Sequence, residues 1–451
     1  MSRWIVCVVL IACVSAPALG EAPLVQPDFR DIVRESKNKV FPALVFIRVL
    51  RESHESGKRI ASEVSGSGVL ISPDGELLTN WHVVDKGTEV RCLLYDGTPY
   101  HADVLGTDKD LDLALVKLRR PAGAPTLPYA ELADSTSMKE GDFVMAMGAP
   151  WGLSRSVSIG IVSCATRFLP EASEYSLWLQ TDAAISPGNS GGPLINTDGR
   201  VIGINTRGIM QGGDMGFSIP SDTIAQILPR MREHGRVNWS WTGLRLQPLR
   251  DFNRNIYFEG NEGVIVAGTD PESPARRAGI QDRDRIVSID GTPLTALTEE
   301  DLPAIRRALG LLEVDKPAAV ELVRDGQRLS VELTPREKGS VEGEELDCPR
   351  WDLTVKAINQ FDNPDLYFHR KEGVFIYGVR IPGNAANAGL NPRDIIDKIN
   401  GKKVTSLEDV RAIHAETMAN IGKSHRLMLT VLRNGLQRQV ILDFSRDFEK
   451  Q

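Results

Sequence analysis

The sequence predicts a mainly β protein: a strand-rich N-terminal domain, barrel or sandwich, followed by two small tandem domains. Two observations carry this reading. From about Val40 to Ile219 short Val/Ile/Leu runs alternate with turn signals, and from Trp241 onward the chain repeats itself at a constant spacing of 110 residues. Regular short strands between tight turns are the pattern of barrels and sandwiches. Two copies are too few for a solenoid, so the repeat reads as two separate domains of roughly 100 residues.

The bulk properties agree. A chain of 451 residues has room for about three domains. Hydrophobic residues make up 41% and charged residues 25%, a globular balance rather than a disordered one. The net charge is -7, and no Lys/Arg run is long enough for a nucleic-acid footprint. At the N-terminus, Arg3 precedes WIVCVVLIACVSAPAL, with Ala18 and Gly20 as small residues after the apolar run. That reads as an export signal over residues 1–20, cleaved after Gly20. An uncleaved anchor is disfavoured because the run is shorter than the roughly 20 residues that span a bilayer. Lipid attachment at Cys13, through Leu10-Ile11-Ala12-Cys13, is the third option. Beyond the signal, Cys92, Cys164 and Cys348 are too widely spaced for a metal motif or a disulfide framework, and no cofactor is called for.

Taken in order, GVLISPDGELLTNWHVV places a Pro-Asp-Gly turn between two strands, and LLYDGTPYHADVLG places Asp-Gly between two more. SDTIAQILPRMREHG, residues 221–235, reads as a helix that closes the first domain (21–235). Ser221 can cap it, and Ile224, Ile227, Leu228 and Met231 share one face. In the repeat, Gly263 matches Gly373, Gly279 matches Gly389, Asp284 matches Asp394 and Gly291 matches Gly401. The match extends upstream to Trp241 and Trp351. The copies occupy about 238–337 and 349–446, and each ends in a hairpin signal, VRDGQRL and LRNGLQR. The charged stretch between them, residues 338–348, reads as a linker.

The chemistry centres on SPGNSGGPL, Ser186 to Leu194. A loop that only turns needs one glycine, and this one has three, so its backbone must come close to something. A serine hydroxyl becomes a nucleophile only beside a base, and the base needs a carboxylate to hold it. His82 in LLTNWHVV and Asp112 in DLDLALVKL supply both, in the chain order His82, Asp112, Ser190. Asp110, two residues before Asp112, is the rival carboxylate. His54 and His101 sit in no motif and read as surface residues.

TNWHVV, DLALVKL, QTDAAISPGNSGGPL and GFSIP, followed by two glycine-matched repeats, resemble the HtrA (Deg) family of exported serine endopeptidases over nearly the whole chain past the signal. The resemblance implies a double β-barrel, chymotrypsin-like protease domain followed by two small α+β PDZ-like domains. It implies His82 as base, Asp112 as its orienting carboxylate and Ser190 as nucleophile, with the backbone N–H groups of Gly188 and Ser190 as oxyanion hole. Ala184 stands at the base of the first specificity pocket, where trypsin-like enzymes carry an acid, so small or medium apolar side chains are expected there. Trp81 replaces a small or polar residue of the family, at the edge of the cleft. The segment Arg51 to Ser65 is too short for the long inter-subunit loop of some relatives.

The resemblance further implies unfolded exported proteins as substrates, exposed C-termini as PDZ ligands, a homo-oligomer built on trimers, and a periplasmic or extracellular location. The rival reading is a peptide-binding chaperone or scaffold with little proteolysis. In the first repeat Trp241-Thr242-Gly243-Leu244 fits the carboxylate-binding loop of such domains. At the 110-residue spacing the second repeat has Leu353 in place of Gly243 and Asp352 in place of Thr242. It is therefore expected to bind chain ends weakly or not at all.

Overall fold

The computed structural model describes residues 28–149, 155–170, 172–209, 215–251, 255–339 and 343–448. The expected signal and the Cys13 lipobox lie outside them. Helix α1 (Phe29–Val40) leads into a closed barrel of β1 (Leu44–Ser53), β2 (Ile60–Leu70), β3 (Glu76–Thr79), β4 (Gly87–Leu93), β5 (Pro99–Asp108) and β6 (Leu113–Leu118), in the order β1-β2-β3-β6-β5-β4. One helical turn, α2 (Trp81–Val84), interrupts it between β3 and β4. A second closed barrel holds β7 (Phe143–Gly148), β8 (Ser156–Phe168), β9 (Leu177–Thr181), β10 (Pro193–Asn196), β11 (Val201–Ile209) and β12 (Met215–Pro220), in the order β10-β11-β12-β9-β8-β7. Of the two shapes the strand pattern allowed, the chain takes the barrel. Closure leaves no free strand edge.

Helix α3 (Ser221–His234) follows, with Ile224, Ile227, Leu228 and Met231 buried in the core it shares with the barrels. Its cap differs from the expected one. Pro220 holds the N-cap, and Ser221, already helical, donates its hydroxyl to the Ala133 carbonyl at 2.5 Å. A buried hydroxyl takes the acceptor within reach, here outside the helix.

The repeats form separate sheets. The first runs Leu244–Gln247, Val264–Thr269, Arg285–Ile289, Ala318–Arg324, Gln327–Leu333 along its path, and helix Leu302–Gly310 lies beside it. The second runs Glu345–Cys348, Leu353–Ala357, Val374–Val379, Ile395–Ile399, Arg426–Arg433, Leu436–Asp443, with helix Leu407–Ala419 beside it. Both final hairpins turn on two residues of positive φ, Asp325-Gly326 and Asn434-Gly435, as a type I′ turn requires. A buried aspartate in each repeat, Asp284 or Asp394, pairs with an arginine, Arg324 or Arg433, at 2.6 Å.

Two expectations about the repeats need correction. Residues 338–348 are not all linker. Lys338 is buried at the first repeat's base, and Glu345–Cys348 is a strand of the second sheet. The alternation of Leu346 and Cys348 with charged residues makes that strand, and Glu345 pairs with Lys86 and Lys356. The 110-residue spacing also slips at the loop Trp241–Leu244. Gly243 accepts from the N–H of Asp270, and the residue accepting from Arg380, 110 further on, is Asp352. The structural counterpart of Gly243 is therefore Asp352, not Leu353. Ile265 lies 18 positions after its partner Gln247, and Phe375 lies 19 after Lys356. The extra residue restores the 110 spacing, so sequence alignment without a gap hides the slip.

The turn between β5 and β6 carries three aspartates that point to three places. Asp112 faces the barrel junction. Asp110 accepts from Lys338 Nζ at 2.8 Å, and the same ammonium reaches the Tyr175 hydroxyl at 3.0 Å. Asp108, 6% exposed, accepts from Trp239 Nε1 at 2.6 Å and from the Leu111 N–H at 2.8 Å. Trp239 stacks on Tyr175 with ring centroids 4.3 Å apart, and Gly310 lies against its face. Arg307 donates to the Tyr175 carbonyl and to Gln226. The first repeat is thus seated on the protein's own Asp-rich turn.

Burial, and then the nearby charge of Asp110, push the Asp108 carboxyl up to about 7, against the opposing pull of its two N–H donors and Lys338. An unfolded aspartate titrates near 3.9. Between those values the folded chain holds a proton the unfolded chain has lost, so stability falls as pH rises through that window. Asp108→Asn removes this titration. Its melting temperature should drop less than that of the parent between pH 5 and 8, by on the order of 3 °C; parallel melting curves across that range would rule the effect out. A second expectation concerns the barrel junction. A Cβ on Gly191, whose φ is +83°, would lie 2.1 Å from the Ser67 carbonyl oxygen and 2.3 Å from Thr79 Oγ1. Gly191→Ala should cost about 2 kcal/mol or more in urea unfolding.

Candidate active site

His82 lies in α2, on the chain directly after β3. Asn80, buried before it, donates its amide to the Asp112 carbonyl at 3.0 Å, and the Trp81 N–H donates to the same oxygen at 3.1 Å. These bonds tie the histidine segment to the aspartate turn through backbone. Asp112 itself has φ +54°, a conformation aspartate tolerates better than most residues. Its side chain, 7% exposed, receives His82 Nδ1 at 2.9 and 2.8 Å, the His82 N–H at 3.1 Å and the Thr206 hydroxyl. Asp110 is committed to Lys338, so geometry separates the two rival carboxylates.

Thr206, on β11, is the residue that sequence reasoning missed. Its hydroxyl holds Asp112 and its carbonyl accepts from Ser190 Oγ at 3.1 Å. The Ser190 hydroxyl is thus parked on Thr206 rather than on the imidazole. Hydrogen bonds of this kind commonly tighten only when substrate arrives. A bare threonine in a strand carries no motif, and only pairing across the barrels reveals it.

The glycines around Ser190 answer to close approaches. Gly192 passes so near Met147 that a Cβ would sit 2.1 Å from its carbonyl oxygen, and Gly191 abuts Ser67 as described above. Gly188 has φ +101° and its carbonyl accepts from the buried Ser67 hydroxyl at 2.6 Å. Ser67 also accepts from the Ala149 N–H and, through its own N–H, donates to the Ser190 carbonyl at 2.8 Å. The N–H groups of Asn189, Gly191 and Gly192 are all bonded within the protein. Among the described residues those of Gly188 and Ser190 have no acceptor, which leaves two donors of one loop available together.

Ala184 is exposed, and its carbonyl accepts from the Asn189 amide at 3.4 Å. The side chain that fills the space against Gly216 is Ile185, whose Cδ1 lies 2.7 Å from where a Gly216 Cβ would be. Both residues are uncharged. Trp81 is half-buried with the Lys109 ammonium 5.2 Å from its ring centroid. Of the two histidines read as surface, His101 is exposed, whereas His54 is mostly buried and meets Glu345 of the second repeat at 3.3 Å.

In the first repeat, Trp241, Thr242, Gly243 and Leu244 all line one cavity of about 280 Å³, together with Leu309 and Lys338. Gly243 has φ +70°, and a Cβ there would lie 2.2 Å from Ser273 Cβ. Among the described residues the strand Leu244–Gln247 pairs only with Val264–Thr269, and its other edge faces that cavity. In the second repeat Asp352 takes the glycine's place with φ +55°. Its carboxylate is buried and already bonded to the Asn384 N–H at 2.9 Å and to Arg380 at 3.4 Å.

The chain is similar to known proteins. Residues 66–204 match the trypsin-like peptidase domain family, and residues 265–310 and 375–417 match the PDZ domain family. A probable periplasmic serine endoprotease, DegP-like, of Pseudomonas fulva (strain 12-X) is 34% identical over 391 residues, 84% of this chain and 78% of its own. The DegP-like protein of Chlamydia pneumoniae is 33% identical over 355 residues, 77% of this chain and 70% of its own. The HtrA-type protease AlgW, solved with a tripeptide, superposes with a TM-score of 0.59 at 28% identity, covering 68% of this chain and 97% of that one. Two closed barrels, two PDZ repeats and this extent of identity together show that the chain belongs to the HtrA/DegP-like serine endoproteases.

Proposed function

We propose that this endoprotease degrades unfolded or damaged exported proteins, with Ser190 as nucleophile, His82 as general base and Asp112 as its orienting carboxylate. The observation that carries the reading is the single network from His82 Nδ1 through Asp112 and Thr206 to the Ser190 hydroxyl. Asp112 fixes the proton of His82 on Nδ1, which leaves Nε2 as the basic nitrogen. When substrate displaces the serine from Thr206, Nε2 takes the Oγ proton as Oγ attacks the scissile carbonyl carbon. The N–H groups of Gly188 and Ser190 receive the oxyanion; one such donor is typically worth about 2.7–4 kcal/mol of barrier. His82 then gives the proton to the leaving amine, and water, activated by the same nitrogen, releases the acyl group.

The uncharged Ala184 and Ile185 support cleavage after small or medium apolar residues. The export signal and the periplasmic naming of the relatives support a periplasmic or extracellular site of action. An uncleaved signal or a lipid at Cys13 would tether it there. The exposed ring pair of Phe29 and Phe143, 4.8 Å apart on the protease domain, supplies apolar surface for a homo-oligomer of the trimeric kind. The open cavity at Trp241–Leu244 supports binding of exposed C-termini by the first PDZ domain.

Ser190→Ala, His82→Ala and Asp112→Asn should each remove nearly all cleavage of unfolded casein and leave the fold intact. Residues acting as a unit lose activity non-additively, so Ser190→Ala/His82→Ala should be little worse than either single change. Mass spectrometry of the fragments should find Val, Ala, Ile or Leu before the cut. Cleavage by neither parent nor Ser190→Ala would leave the chaperone or scaffold reading, and cuts after Lys or Arg would refute the pocket assignment.

The PDZ reading is tested apart from catalysis. Full-length Ser190→Ala protein should bind a peptide with a free apolar C-terminus, because a nest of N–H groups recognises the carboxylate. Amidating that terminus should weaken binding by roughly tenfold or more. Equal affinity for the amidated peptide would refute carboxylate capture.

A further inference from the structure

The two PDZ domains differ at the edge strand that borders the ligand groove. In the first, Leu244–Gln247 leaves that edge open. In the second, the equivalent strand Leu353–Ala357 is paired along its length with Glu345–Cys348. The register is antiparallel, Glu345 opposite Lys356 and Cys348 opposite Leu353, and the added strand also packs on helix Leu407–Ala419. It therefore sits where a peptide adds to a PDZ sheet, between strand and helix, with its C-terminal end at the ligand loop. Cys348 is fully buried there, Leu346 packs on the domain core, and His414 of the helix bonds the Pro349 carbonyl at 2.8 Å.

The strand is held at its other end by the protease domain. Glu345 receives Lys86 Nζ at 2.8 Å, His54 Nδ1 at 3.3 Å and Lys356 Nζ at 3.5 Å. Its side chain is 10% exposed. Lys86 lies four residues after His82. His54 belongs to the turn between β1 and β2, whose carbonyl also accepts from the Thr354 hydroxyl. That turn packs backbone to backbone on the second PDZ domain: a Cβ on Gly57 would lie 2.2 Å from Arg380 N, and one on Gly378 would lie 2.4 Å from the Glu55 carbonyl oxygen.

We propose that residues 345–348 are a built-in ligand that closes the second PDZ groove to chain termini and makes the domain a clamp on the turn at residues 53–60. A peptide could enter only by expelling this strand, which would also pull Glu345 from Lys86. Occupancy by a foreign chain end and the clamp on the protease domain exclude one another. The inference does not depend on the catalytic reading, and it replaces the residue-identity argument for weak binding, since Asp352 has its charge satisfied.

Cys348 reports on the strand directly. Full-length Ser190→Ala protein is treated with N-ethylmaleimide, and modification of Cys348 is followed by peptide mass mapping. The expected rate is about a hundredfold or more below that of the urea-unfolded chain. Saturating peptide with a free apolar C-terminus should leave it unchanged. Glu345→Gln should raise it roughly tenfold and speed amide exchange at residues 53–60; Lys86→Gln reaches the same contact from the protease side if the first variant folds poorly. Acceleration by peptide, a folded rate within about threefold of the unfolded one, or no response to both substitutions would overturn the proposal.

Discussion

A carboxylate placed almost out of water must have its lone pairs filled, because an unpaired buried charge costs several kcal/mol. Asp112 meets this with donors from two segments: the His82 N–H and ring from the turn after β3, and the Thr206 hydroxyl from β11. One donor set comes from the first barrel and the other from the second. The barrels therefore have to meet along one line for the charge to be tolerated. The glycines follow from the same constraint. Gly191 and Gly192 carry no side chain because Ser67, Thr79 and Met147 already occupy the space where the barrels close.

The turn that carries Asp112 is also where the rest of the molecule attaches. Within five residues it offers three carboxylates, and each meets a different class of partner: an imidazole, an ammonium and an indole. Lys338, which pairs with Asp110, also lines the first PDZ cavity. Occupants of that cavity and the orientation of the aspartate turn are thus separated by one side chain. The second PDZ domain reaches the chain just past His82 through Glu345 and Lys86, and its Phe361 ring lies 5.4 Å from the Lys338 ammonium. Both PDZ domains contact segments that hold the proposed triad without contributing to it.

The repeats show how one fold takes two uses. Both keep the buried Asp–Arg pair and the type I′ hairpin, which are internal to the fold. They diverge at the groove. In the first, Gly243 keeps the loop tight and the strand edge bare; in the second, Asp352 adopts the same left-handed backbone and uses its side chain to cap the segment at Asn384. An aspartate can stand where a glycine stood when its carboxylate finds a local N–H.

The sequence alone determined what depends on local pattern. Turn chemistry and short apolar runs specify the strands, the face of α3 shows in its spacing, and GNSGGPL with His82 and Asp112 points to the proposed chemistry because those residue types are improbable together otherwise. The choice of Asp112 over Asp110 came only through resemblance, since both sit in the same turn. Tertiary structure supplied the physical reason, a lysine from 228 residues away that takes Asp110. Barrel over sandwich likewise came only through resemblance; tertiary structure supplies the closure itself, a pairing between distant strands. It found Thr206 and Ile185, whose contacts depend on what lies across from them. It also moved the equivalent of Gly243 to Asp352, and turned part of an apparent linker into a groove-filling strand. Register and strand pairing are set by long-range hydrogen bonds and burial, and a linear alignment contains neither.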